Sequence, residues 1–191
     1  MSLKYNLIGV VSENMGIAKN GKLPFSLPKE YEFYMRITRE TVDKSKKNVV
    51  IMGRKSWDCL EDHEKPMPGR INFILTSQKD FKLPECSDTY IFNSWQEIES
   101  KLVDAQFQKT YETIWVVGGN RIYDEAQKSK HFYRAYISKV RKFSDCDAFF
   151  PELVKNVKRV KDENVPQGLQ MENDLTWEVE VWENTNSISS N

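Results

Sequence analysis

Two short runs, NVVIM at 48–52 and TIWVV at 113–117, are apolar at every position after the first. A strand with one wet face alternates; a run that does not alternate needs cover on both faces. Each run leads into glycine, at Gly53 and Gly118, and then into helix-forming sequence. Parallel strands joined by crossover helices satisfy both demands. Further strands are expected over 3–11, 70–76 and 89–92, with helices over 28–41, 54–60, 95–103 and 119–128. Ser26 is the expected N-cap of the first helix, and Pro28 suits its first turn. Residues 14–24, with Gly16 and Gly21, read as a loop.

From residue 132 the pattern changes. Segments 134–140, 157–162 and 176–182 look like strands with no helix between them, and in the last Trp177, Val179 and Val181 face inward. The expected fold is a single-domain α/β structure. Its sheet has about eight strands, mostly parallel with an antiparallel C-terminal edge, and about four helices flank it. The domain is expected to span 1–183, with a polar, disordered tail over 184–191.

Several function classes are disfavoured. Lys+Arg and Asp+Glu both total 28, so the net charge is zero, which suits neither a general nucleic-acid binder nor a membrane-surface protein. Cys59, Cys86 and Cys146 are odd in number and form no CxxC; His63 and His131 form no HExxH. No metal is therefore expected. No secretory signal pattern, membrane-length apolar run or N-x-S/T sequon is found, which points to the cytoplasm.

Four segments carry chemistry. In LPFSLPKEYEFY, residues 23–34, Glu30 shares a helical face with Leu27, Tyr31 and Tyr34. A carboxylate on such a face needs a polar or cationic partner. A planar donor edge, such as an aminopyrimidine or pterin ring, would supply one while stacking on the aromatics; the alternative is a first-turn acid that complements the helix dipole. Gly53-Arg54-Lys55-Ser56 and Gly118-Gly119-Asn120-Arg121-Ile122-Tyr123 each stand where a strand hands over to a helix, suited to phosphates. A solvated basic turn and a glycine turn needed for packing are the alternatives. Neither GxGxxG nor GxxxxGK[ST] is present. The turn PMPGR delivers Arg70 to a strand start, where it would clamp a carboxylate or form a structural salt bridge.

Taken in order, GIAKNGKLPF, the carboxylate after SLPK, VIMGRKSW, PMPGRINFIL and VVGGNRIY resemble the dihydrofolate reductase family over nearly the whole chain. The resemblance implies NADPH-dependent reduction of 7,8-dihydrofolate to tetrahydrofolate, in support of one-carbon metabolism and thymidylate synthesis. Hydride would reach C6, with protonation at N5 through water. It implies a monomer bound by antifolates such as methotrexate. Glu30 matches the active-site carboxylate, and the catalytic set would also include Ser138, Phe25 and Leu23. Burial would raise the Glu30 pKa and the helix N-terminus lower it, leaving the net sign open. Ile8, Gly9, Val10, Tyr31, Tyr34, Leu60, Met67 and Val117 would line the substrate pocket, with Arg70 on the glutamate carboxylate. Val10, Ile17, Gly21, Lys22, Gly53, Arg54, Lys55, Ser56, Thr76, Ser77 and the turn Gly118, Gly119, Asn120, Arg121, Ile122, Tyr123 would hold NADPH. Residues 16–23 match a mobile loop, and the Gly118–Gly119 peptide is expected to be cis.

The chain departs from the family pattern in places. Phe25 stands where Trp is usual, Ser138 where Thr is usual, and Tyr31 and Tyr34 where Leu or Phe is common. Gly9 replaces a larger residue, which would widen the pteridine end. Ser77 stands where some relatives carry Arg, shifting load to Arg54. The chain ends after one domain, so no thymidylate synthase fusion is expected. Alternative readings are a related pterin or aminopyrimidine reductase, which would not need Arg70, and a non-catalytic NADPH-, folate- or RNA-binding module, which would not need the costly Glu30.

Overall fold

A nine-stranded sheet organises the computed structural model, which describes residues 3–83 and 86–186. In chain order the elements are β1 (Tyr5–Val11), β2 (Gly16–Ala18), α1 (Pro28–Arg39), β3 (Lys47–Gly53), α2 (Arg54–Cys59), β4 (Arg70–Leu75) and β5 (Thr89–Phe92). They continue with α3 (Trp95–Val103), β6 (Tyr111–Gly118), α4 (Asn120–Lys128), β7 (Phe132–Val140), β8 (Ala148–Phe149), β9 (Val157–Val160), β10 (Gln170–Glu172) and β11 (Leu175–Asn184). The sheet order is β10-β11-β7-β1-β6-β3-β4-β5, with β9 also on β11. β1 pairs in parallel with β6 and β7, β3 with β6 and β4, and β4 with β5. β11 runs antiparallel to β7, β9 and β10. The apolar runs are buried as their composition requires: Val49, Val50, Ile51 and Met52 are all at most 1% exposed.

Strand alternation divides these side chains between two cores. Leu7, Val11, Val49, Ile51 and Phe73 pack on one face with Ile122 and Tyr123 of α4. Ile8, Val10, Val50, Met52 and Ile74 pack on the other with Leu27 and with Phe33 of α1. Each such side chain contributes about 1.5–3 kcal/mol relative to exposure, so the register of β1 is strongly fixed.

Four details differ from the sequence reading. Ser26 does not cap α1; the N-cap is Leu27, with no side-chain hydrogen bond. Residues 14–24 are not all loop, because β2 pairs with β8. β10 joins β11 through Asn173 and Asp174, whose φ angles of 47° and 58° make the left-handed turn of a tight hairpin. The predicted tail over 184–191 begins too early: Asn184 belongs to β11 and donates to Phe132 O at 3.0 Å, while residues 187–191 lie outside the described residues. Trp177, Val179 and Val181 do face inward.

Candidate active site

Glu30 lies in the first turn of α1, 6% exposed, and Arg70 is the first residue of β4, 1% exposed. Neither forms an ion pair among the described residues. Burial raises the Glu30 pKa to about 7, and the nearby Glu172 carboxylate adds to the rise. Ser138 Oγ draws it back down, although that buried hydroxyl forms no hydrogen bond of ordinary geometry. The sign left open by the sequence is therefore upward, and burial decides it.

A cavity of about 350 Å³ opens beside Glu30, lined by Val10, Leu23, Phe25, Ser26, Leu27, Pro28 and Tyr31. Leu23 is 54% exposed and Phe25 half-buried, so both walls meet solvent. Tyr31 stands at the margin, 41% exposed, while Phe33 takes the buried place on α1. The helical face is thus Leu27, Glu30 and Tyr34, with Tyr31 at its rim. Both tyrosine hydroxyls have partners: Tyr31 donates to Glu64, and Tyr34 to Met67 Sδ at 3.8 Å. Leu60 and Val117 are half-buried against the same core as Ile8 and Met67.

Arg70 is held without a carboxylate. Its Nε donates to Pro68 O at 3.1 Å, and its Nη1 to Thr38 Oγ1 at 2.9 Å. Burial lowers its pKa, the direction expected of a dehydrated cation without an anion. A structural salt bridge, the alternative seen in the sequence, is absent among the described residues. Asn72 stabilises the turn beneath it, accepting from Met67 N at 3.0 Å and donating to Met67 O and Arg70 O at 3.2 and 3.1 Å. Thr38 and Asn72 were not singled out in the sequence. The nearest signal was the helical spacing of Thr38 from Tyr34, whose carbonyl Thr38 Oγ1 also bonds at 2.7 Å.

The two glycine turns, 65 residues apart at Gly53 and Gly118 in the sequence, meet because β3 pairs with β6, where Met52 registers with Gly118. A Cβ on Gly118 or Gly119 would lie 3.4 or 3.3 Å from Ser56 Oγ, so bare backbone forms a cradle beside a hydroxyl. Gly118 has φ +133°, and its peptide bond to Gly119 is cis. Neither α2 nor α4 has a side-chain cap or an acid in its first turn, which leaves both helix starts receptive to anions. Lys55 is exposed, whereas Arg54 is paired with Asp58 one turn along α2. Thr76, buried, and Ser77, exposed, follow β4 beside Gly53, which registers with Leu75. Asn120 and Arg121 are engaged elsewhere, with Phe149 O at 2.6 Å and Glu125 at 3.1 Å.

Gly9 faces α4, opposite to Ile8 and Val10. Its missing Cβ would sit 2.8 Å from Tyr123 Oη, so the space is filled from α4 and the widening expected from the sequence does not arise. Ile17, in β2, packs against the α4 core. Gly21, with φ +75°, passes Cys59 so closely that a Cβ would come within 2.6 Å of Sγ; Lys22 bonds Lys19 across the turn. No group of three or more metal-ligating side chains is found among the described residues.

Comparison with known proteins places these features in a lineage. The family model for dihydrofolate reductase matches residues 4–183. The chain is 35% identical to the dihydrofolate reductase of Aedes albopictus over 94% of its length and 97% of the relative's. It is 34% identical to that of Drosophila melanogaster, over 95% and 98%. Schistosoma mansoni dihydrofolate reductase superposes with a TM-score of 0.83 at 28% identity, covering 96% of this chain and all of that one.

Proposed function

This chain belongs to the dihydrofolate reductase family, and we propose that it carries out the NADPH-dependent reduction of 7,8-dihydrofolate to 5,6,7,8-tetrahydrofolate. The observation that carries the reading is the pair of buried charges, Glu30 and Arg70, that find no counter-ion in the described residues. A buried charge without a partner is costly, and a folate has a donor-rich ring at one end and carboxylates at the other. Glu30 then accepts from the pterin amino group and ring nitrogen, and Arg70 grips the tail carboxylate in bidentate fashion. With a pKa near 7, Glu30 holds a proton for part of the time at neutral pH, which suits protonation of N5 through water. Phe25 has no polar hydrogen, so the water there is ordered by Glu30 and Ser138 rather than by an indole.

The cradle of Gly118, Gly119 and Ser56, with two uncapped helix starts, fits a dinucleotide diphosphate. Arg54, Lys55, Thr76 and Ser77 would hold the extra phosphate that distinguishes NADPH from NADH. Bound NADPH supplies the hydride that reaches C6. We further take the protein to act in the cytoplasm as a monomer; its three cysteines are free, and no helix among the described residues is long and apolar enough to cross a membrane.

The test is a spectrophotometric assay with dihydrofolate, comparing NADPH with NADH. Fast oxidation of NADPH and slow oxidation of NADH are expected. Binding of NADPH without oxidation in the presence of dihydrofolate would overturn the substrate assignment.

A further inference from the structure

A side chain at the N-cap is the usual way to close a helix start, as Ser94 closes α3. α1 is closed from a distance. The Leu27 side chain offers no acceptor and Pro28 has no N–H. The next two donors, Lys29 N and Glu30 N, both end on the Glu172 carboxylate of β10, at 2.8 and 3.2 Å. The same carboxylate accepts from Trp177 Nε1 at 3.0 Å, and the neighbouring Asn173 donates to Ser26 O at 2.9 Å. The β10–β11 hairpin is thereby fastened to residues 26–30.

The charge matters as much as the fastening. An acid in a first turn is ordinarily favoured by the positive end of the helix. Here Glu172 occupies that end and Glu30 is left with a like-charged neighbour. We propose that Glu172 is a positioning residue for the reaction, holding the Glu30 backbone in place and keeping a negative charge beside the Glu30 carboxyl. The proposal rests on the reading of Glu30 as the active-site acid.

The charged and titratable groups that face Glu30 are few. Glu172 comes from β10, Tyr34 from the next turn of α1, and Tyr123 from α4; Ser138 of β7 adds a hydroxyl. Burial keeps both tyrosines protonated. Glu172 is therefore the neighbour whose charge pushes Glu30 toward its neutral form, and Ser138 works against it.

The test compares Glu172→Gln and Glu172→Asp in the full chain with NADPH and dihydrofolate, following the pH profile of the chemical step. E172Q keeps the shape and removes the charge, and leaves one oxygen to accept, so one of the two backbone donors loses its partner. Its profile midpoint is expected to fall by about half a pH unit or more, while E172D, which keeps the charge, stays near the parent. An NMR titration of the Glu30 carboxyl carbon in the ligand-free protein should move in parallel. In a Glu30→Gln background, E172Q should leave the remaining profile unmoved. A folded E172Q with the parental midpoint overturns the proposal. If E172Q and a second neutral variant, Glu172→Asn, both fail to fold while E172D keeps the parental midpoint and a parental KM, the fastening is essential and the proposal stands; an E172D that folds with intact charge yet loses the midpoint overturns it. If Glu30→Gln itself leaves turnover unchanged, it is the reading of Glu30 that fails, whatever E172Q does.

Discussion

The Tyr123 hydroxyl stands 2.8 Å from the point where a side chain on Gly9 would begin, and donates to the carbonyl of the preceding residue, Ile8, at 2.7 Å. The ring is wedged by Phe150, 4.5 Å away between centroids. Gly9→Ala must push the tyrosine off its bond. We expect a loss of about 1–3 kcal/mol in stability and weaker NADPH binding, because Tyr123 belongs to the turn proposed to hold the cofactor. Thermal melts and cofactor titrations of G9A, Tyr123→Phe and the double variant test this. Costs that simply add would refute the contact.

Glu30 links activity to stability. Its pKa is raised from 4.5 to about 7, so the folded protein holds this proton more tightly than the unfolded chain. The stabilising contribution is complete below about pH 4.5 and is lost as pH rises through about 7. Glu30→Gln should remove that loss, making the ligand-free variant more stable than the parent at pH 8 by on the order of 2–3 kcal/mol. Turnover should fall by at least about 100-fold. Denaturant titrations across pH 5–8 that give parallel curves for both proteins would contradict the assignment.

If Arg70 grips the substrate carboxylate as proposed, Arg70→Gln should raise the KM for dihydrofolate by roughly 10–100-fold, the range for losing charge-assisted hydrogen bonds. The kcat should change less. A reduced pterin without a glutamate tail should react equally well with both forms. An equal penalty on the tailless substrate would show that Arg70 acts on the ring.

Arg54 is paired with Asp58, and the proposed function asks it to hold a phosphate as well. Asp58→Asn frees the guanidinium. NADPH should bind about 1.4–5-fold more tightly, the worth of an exposed pair of 0.2–1 kcal/mol, with NADH unaffected. Tightening of both cofactors alike would place Arg54 away from the distinguishing phosphate.

The parallel core was legible because two of its strands run apolar without alternation, at 49–52 and 114–117, and because Gly53 and Gly118 punctuate them. Glu30 and Arg70 were legible as charges in greasy or rigid settings. Glu172 was not, since its partner Glu30 lies 142 residues away and the three-residue β10 carries no periodicity of its own. β2 and β8, three and two residues long, are invisible for the same reason. The misreading of Gly9 has another cause: what fills the space beside a glycine is decided across the sheet. The Arg54–Asp58 pair stands at the i,i+4 spacing that favours such pairs on a helix.

The placement of β1 bears on how the protein is made. The first strand in the sequence lies at the middle of the sheet, paired to residues 111–118 and 132–140. As synthesis proceeds from the N-terminus, Ile8, Gly9 and Val10 emerge early and wait for neighbours more than a hundred residues downstream. Such distant pairing slows folding, and an apolar strand left waiting is a target for aggregation or for a chaperone. A nascent chain halted before residue 111 should therefore have no partial activity, because the pocket floor acquires its register only when β6 and β7 close around β1.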